Sequence, residues 1–444
     1  MNAICIAVAA MALADAPAQP MPPVSARACA AAVSAQRLKA DVEKLASFGT
    51  RHTLSDVASP TRGIGAAREW IRSELERAST RIAVEMESFH VPEGKRVPAG
   101  GADLVNVVGV LNGSAEGASD RRVYVVAHYD SRNAGEMDAA GDAPGANDDA
   151  SGVAAVLEAA RVLGRQARLN ATVVFLLTSG EEQALLGAHF RASAASAKGE
   201  AIVGVLNNDI VGDPVLENGG KLDDVRVFSE GLPRNPSAER LAEIRVNGAE
   251  NDSPSRELAR FVVETAELEG LVIKPRLVYR QDRLMRGGDH AAFNEAGFAA
   301  VRLTSSAEEY SRQHADVKTK DGKPYGDVPS FVDSEYLASV TRLNVATIVR
   351  LAMAPPAPLN PRILTTELGR ATTLRWESAG DPRIVSFEVV WRPTTEATWT
   401  HAKDVGAGYQ ATVDVGKDDH VFGVRAVSVD GYKSVVAFAM TGKK

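Results

Sequence analysis

The apolar positions of the chain follow two rhythms. Between residues 122 and 206, three segments (123–127, 171–178 and 202–206) are almost continuously apolar, and the stretches between them, 151–165 and 184–197, space their apolar residues as helices do. An apolar run without polar alternation belongs to a strand covered on both faces. Such strands separated by helices predict a mostly parallel sheet. Upstream, 36–47 and 62–79 read as helices. In the second of these Ile64, Ala67, Trp70, Ile71 and Leu75 fall on one face. Residues 81–91 largely alternate like a half-buried strand, and 105–111 form another. A helix over 255–269, strands at 271–279 and 299–303, and a helix over 334–353 complete the pattern. The expected fold class over 35–353 is therefore α/β, with a mostly parallel central sheet flanked by helices. A Pro-rich linker, 354–361, follows. Beyond it, short alternating strands at 372–376, 386–392, 399–402, 410–415, 420–427 and 434–439 predict an all-β sandwich over 362–444.

The length, 444 residues, agrees with two domains. Net charge is −7 and no run is rich in Lys or Arg, which excludes a general nucleic-acid binder. With only Cys5 and Cys29, the chain has neither a disulfide framework nor a Cys-rich metal module. Residues 4–14 are an apolar run of signal-peptide length, and Ala14-Asp15-Ala16 fits the small-x-small cleavage pattern. The expectation is a signal peptide over 1–16, an Ala/Pro-rich linker over 17–34, and export to the periplasm or the medium. No stretch is long and apolar enough for a transmembrane helix.

Residues suited to metal chemistry cluster just after the apolar strands, where open α/β sheets bind ligands. Val125-Val126-Ala127-His128-Tyr129-Asp130 ends one strand in an imidazole, and Asp130 is spaced to hydrogen-bond its second nitrogen. Asn147-Asp148-Asp149 leads into a helix. One cap needs a single such residue, and three adjacent ones exceed that. Thr178-Ser179-Gly180-Glu181-Glu182 brings two carboxylates together after a strand, an arrangement that cations relieve. Asn207-Asn208-Asp209 and Gln313-His314-Ala315-Asp316 add two more sites. Each alone reads as a cap or a turn, but together they offer imidazole and carboxylate donors of the type zinc accepts. In Gly287-Gly288-Asp289-His290, Asp289 reads as a cap or supporting group and His290 as a pocket residue. His52, His90, His189, His401 and His420 read as structural or surface histidines.

These motifs resemble, over residues 36–353, the bacterial di-zinc aminopeptidases of the clan that also contains glutamate carboxypeptidases and glutaminyl cyclases. The resemblance implies two Zn2+ ions. One would be held by His128, Asp148 and Asp209, and the other by Asp148, Glu182 and His314, with Asp148 bridging and the Asp148–Asp149 peptide cis. It implies Glu181 as general base, Asp130 as the carboxylate behind His128, and Asp149 as a further supporting group. Where several relatives have a tyrosine before the last histidine, this chain has Gln313, with Tyr310 nearby. The C-terminal segment resembles a fibronectin type III module, through Trp376 and the run Phe422–Tyr432. No motif specifies a ligand for it.

A pair of metal ions about 3.5–4 Å apart can clamp the attacking and leaving oxygens of a hydrolysis. The expected reaction is removal of N-terminal residues from peptides with a free N-terminus. A metallo-carboxypeptidase would need an arginine for the substrate carboxylate, and Arg283, Arg286 and Arg302 lie in range. A glutaminyl cyclase would typically use one zinc. A non-catalytic receptor would have lost ligands, and an adhesin would not retain the metal constellation.

Overall fold

The computed structural model describes residues 24–114, 120–166, 168–216, 218–307, 309–320, 322–365 and 369–441. The expected signal peptide, 1–16, lies outside the described residues. In chain order the elements of the larger unit are α1 (Ala26–Ala31), α2 (Ala35–Ala46), α3 (Gly63–Ala78), β1 (Ile82–Val91), β2 (Ala102–Leu111), β3 (Arg121–His128), α4 (Ala150–Gln166), β4 (Thr172–Thr178), α5 (Leu186–Ala197), β5 (Ala201–Asn208), β6 (Asp224–Ser229), α6 (Ala238–Val246), α7 (Pro254–Glu269), β7 (Lys274–Val278), α8 (His290–Glu295), β8 (Ala300–Ser305) and α9 (Ser334–Met353).

The strands form one sheet in the order β1-β2-β4-β3-β5-β8-β6-β7. Its centre is parallel: β4, β3, β5 and β8 run the same way. The pairings β1–β2, β2–β4 and β6–β8 are antiparallel. The unbroken apolar runs are the central strands. Val123–Ala127 and Val173–Leu177 are fully buried, with α4 and α9 among the elements packed against the sheet. Local signals set the helix ends. Ser253 caps α7 by accepting from Arg256 N, Pro254 occupies its first turn, and Gly270 ends it at φ +63°. Asp333 caps α9 through the amides of Glu335 and Tyr336.

Four elements depart from the sequence reading. Part of the expected 17–34 linker is α1, whose Ala26, Cys29 and Ala30 are buried in the core against α9. Its residues are small enough to pack closely, which composition alone registers as linker. Strand β6 and helix α6 were not expected. Val225, Val227 and Phe228 bury their side chains, but the run is short and interrupted by Arg226. The expected linker 354–361 is shorter than read, because Leu359–Leu364 is a strand, with a register shift between Leu359 and Arg362. That shift accommodates Pro361, which has no amide to give.

The C-terminal residues form two four-stranded sheets. One contains Gln410–Val413, Thr372–Glu377, Leu359–Leu364 and Met440–Thr441. The other contains His401–Asp404, Ile384–Pro393, His420–Ser428 and Ala437–Phe438. Trp376, Phe387 and Phe422 fill the space between them, with the Trp376 and Phe387 rings 5.6 Å apart. This unit is tied to α7. Arg260 Nε donates to Ala397 O at 2.7 Å, and Trp399 Nε1 donates to Glu257 Oε2 at 2.8 Å.

The sheet places the chemistry. His128 ends β3 and pairs in register with Thr178, the last residue of β4. Asp209 follows the last residue of β5 directly. Parallel neighbours end on the same edge, so His128, Glu181, Glu182 and Asp209 meet there.

Candidate metal centre

Two sets of donor atoms converge at that edge. His128, Asp148 and Asp209 each offer a ligand atom within 4.8 Å of the others, and so do Asp148, Glu182 and His314. Asp148 belongs to both. His128 Nε2 lies 3.1 Å from Asp148 Oδ1, and His314 Nε2 lies 3.0 Å from both Asp148 Oδ2 and Glu182 Oε1. The Asp148–Asp149 peptide is cis, as the resemblance implies.

The loops that carry these groups are fastened from behind. Asp327 accepts hydrogen bonds from the amides of Asn147 and Asp148 at 2.8 and 2.7 Å, which fixes the backbone under the shared carboxylate. Asp149 turns away from the cleft and is fully buried. It accepts from the amides of His128, Gly152 and Ile210, which ties the end of β3 to the start of α4 and the end of β5. Arg51, also fully buried, donates to the carbonyls of Tyr129 and Gly145 at 2.8 and 2.9 Å. Burial lowers its pKa to about 10.

Asp130 departs from expectation in detail. The second nitrogen of His128, Nδ1, meets the backbone carbonyl of Asp130 at 3.1 Å, while the carboxylate stands 3.6 Å off. That carboxylate accepts instead from Thr53 Oγ1 at 2.9 Å and from the amides of Glu181 and Glu182 at 3.3 and 3.2 Å. Asp130 thus joins the histidine loop to the loop bearing the two glutamates. A turn that presents two amides to one carboxylate outcompetes a bond to a single imidazole.

Above the donors is a cleft of about 330 Å³. Asp148, Glu181, Glu182, Asp209 and His314 line it, together with four arginines, Arg96, Arg132, Arg283 and Arg286. Arg132 Nε donates to Glu182 Oε2 at 2.9 Å, and its Nη2 lies 2.6 Å from His314 Nδ1. Arg96 donates to Glu182 O at 2.9 Å and pairs with Glu136. Burial raises the Glu181 carboxyl well above its ordinary range. The charges of Glu182 and Asp209 add to this, against the pull of His128. Asp148 goes the other way. Burial would raise it, but the His128 and His314 imidazoles that face its two oxygens hold it well below the usual carboxylate range.

The donor set fits a pair of dications. Two imidazoles and three carboxylates converge. Among the described residues His128 Nε2 and Glu182 Oε1 are buried without a well-formed hydrogen bond, each facing only another donor of the set, an expensive condition unless a ligand completes them.

Two sequence expectations do not hold. His290 does not line the cleft. It is fully buried at the start of α8, with Nε2 2.9 Å from Gln281 O. Arg302 is not available to a substrate. It too is fully buried, donating to Asp209 Oδ1 at 2.8 Å and to Asp282 Oδ2 at 3.1 Å. Asp289 accepts from Thr178 Oγ1 and makes no side-chain cap of α8, so it supports the end of β4. Sequence reasoning missed Arg51, Arg96, Arg132 and Asp327, which no local motif marks.

The sequence profile described as Peptidase family M28 matches residues 106–325, the stretch that supplies every converging donor. A probable zinc metalloprotease of Leptosphaeria maculans is 41% identical over 430 residues, spanning 96% of this chain and 99% of that protein. The chain belongs to peptidase family M28. A probable zinc metalloprotease of Pyricularia oryzae is 42% identical to this M28 peptidase, over 95% of this chain and 86% of its own. These relatives are fungal, which broadens the bacterial resemblance read from the motifs. Among solved structures, the Legionella pneumophila LapA aminopeptidase superposes with a TM-score of 0.51 at 18% identity, covering 74% of each chain. An aminopeptidase from Aneurinibacillus sp. strain AM-1 gives 0.51 at 14% identity, over 74% of this chain and 97% of that one. At such identities these two show that the M28 member shares their fold.

Proposed function

We propose that the chain is a two-zinc aminopeptidase, exported by its N-terminal signal peptide. The observation that carries the reading is the pair of donor triads sharing Asp148 beneath a cleft walled by Glu181. His128, Asp148 and Asp209 would hold one zinc, and Asp148, Glu182 and His314 the other. The names of the fungal relatives support zinc, and those of the two fold relatives support an aminopeptidase. When bound, the metal pair supplies Lewis acidity that polarises the scissile carbonyl and acidifies water. Glu181 takes a proton from the attacking water and delivers it to the leaving amine nitrogen. Asp130 holds Glu181 in place through its amide, and Asp149 and Asp327 hold the backbone beneath the shared carboxylate. The C-terminal sheets serve as a fibronectin type III-like module fixed to α7.

One peptide in three forms tests the reading. The free and C-amidated forms release their N-terminal residue first, and the N-acetylated form is resistant. Cleavage of the acetylated form from its C-terminus would make the enzyme a carboxypeptidase.

Removing the Asp327 carboxylate affects the metals without touching them. In Asp327→Ala the amides of Asn147 and Asp148 lose their acceptor. Zinc affinity then falls by about 10–100-fold, as for other groups that orient ligands. Competition with a metal-binding dye measures it.

A further inference from the structure

Among the described residues, one arginine of the cleft has no carboxylate beside it. Arg132 is paired with Glu182, Arg96 with Glu136, and Arg283 with Asp282. Arg286 has no carboxylate partner among the described residues, although it lines the same cleft as the metal donors. It is nonetheless held. Its Nη1 donates to Gln313 Oε1 at 2.7 Å, and its guanidinium lies 5.3 Å from the centre of the Tyr310 ring. Gln313 is largely buried and directly precedes His314, so the arginine is oriented from the loop that carries a metal donor. A neutral amide and an aromatic face fix a guanidinium without neutralising it. Its remaining N–H groups form a planar fork suited to a carboxylate.

We propose that Arg286, oriented by Gln313 and Tyr310, binds a carboxylate of the substrate and makes it a specificity determinant. The proposal rests on the peptidase reading and names the substrate class. The carboxylate can belong to an acidic N-terminal side chain or to the C-terminus of a short peptide such as a dipeptide. Arg96, Arg132 and Arg283 differ from Arg286 in that each is already drawn to a carboxylate of the protein, Glu136, Glu182 and Asp282 respectively.

The test compares zinc-loaded wild type, Arg286→Gln and Arg286→Glu. Two ratios are read by calorimetric binding and by kcat/KM. One compares Glu with Gln, as free amino acids for binding and as N-terminal residues of otherwise identical amidated peptides for turnover. The other compares Ala-Ala with Ala-Ala-amide. Wild type prefers the charged member of one pair by at least about tenfold, the scale of one charge-assisted hydrogen bond. Arg286→Gln brings that ratio close to one and Arg286→Glu inverts it. The pair that responds identifies the source of the carboxylate. A wild type with neither preference, or a preference that survives both substitutions, overturns the proposal. If no peptide with a free N-terminus is cleaved, the aminopeptidase reading fails, and the binding ratios still decide the role of Arg286. Zinc content of each variant is measured alongside, so that loss of metal cannot pass for loss of the subsite.

Discussion

Glu181→Gln lowers kcat by about 10²–10⁴-fold, the usual contribution of a general base, and leaves the zinc content unchanged. The basis is geometric. Glu181 lines the cleft but belongs to neither donor triad, whereas its neighbour Glu182 belongs to one. The two side chains diverge from one turn, whose amides are both held by the Asp130 carboxylate. Gln is nearly isosteric with Glu and keeps the turn intact, so what it removes is the capacity to accept and deliver a proton. Glu182→Gln behaves differently. It withdraws a charged donor next to His314 and weakens metal binding first, with activity falling as a consequence. Metal analysis and steady-state kinetics on both variants separate the cases. If Glu181→Gln loses zinc while Glu182→Gln retains it, the roles of the adjacent pair are exchanged.

What the sequence made legible follows from where its signals are local. Unbroken apolar runs mark strands buried on both faces, and β3, β4 and β5 stand where those runs are. Because parallel neighbours end together, the residues just past the runs must meet, and His128, Glu182 and Asp209 do. The approach of His314 is less legible, since it lies beyond β8 in a loop and arrives at a positive φ of 52°. Asp327 was invisible for the same kind of reason. It lies 179 positions from the Asp148 amide it holds, and an isolated aspartate in a loop carries no periodicity. The arginines reversed part of the electrostatic picture. The strand-end motifs contribute imidazoles and carboxylates and no arginine. In the structure Asp149 faces away from the cleft, while Arg96 and Arg132 reach in from distant segments. Arg302 looked like a substrate anchor by proximity in sequence, yet its position on β8 points it into the core against Asp209. Sequence distance identifies which residues can be near a site, and burial decides which of them a ligand can reach.

Stripping the metals abolishes hydrolysis, zinc restores it, and the stripped protein unfolds at a lower temperature. The reason is the company the carboxylates keep. Asp148, Asp149, Glu182 and Asp209 are all buried within one small region. Burial raises the Asp149 and Asp209 carboxyls above their ordinary range, and their mutual repulsion adds to it, with His128 and Arg302 providing part of the relief. Like charges in a poorly solvated site repel strongly, and dications are the ligands that turn that repulsion into attraction. Metal that binds the folded chain and not the unfolded one stabilises it by mass action, by about 4 kcal/mol at a thousandfold excess over Kd. In a chain of this size that is a shift of several degrees, which a melting curve with and without chelator resolves. Adding back zinc at increasing concentration should recover activity and melting temperature together, because the same donors serve both. Asp148→Asn separates a shared donor from two independent sites. If Asp148 bridges, the substitution weakens both metals and lowers stoichiometry below that of a variant changed only at Asp209 or only at His314. Full activity after verified metal removal, or an unchanged stoichiometry in Asp148→Asn, would remove the basis for a shared two-metal centre.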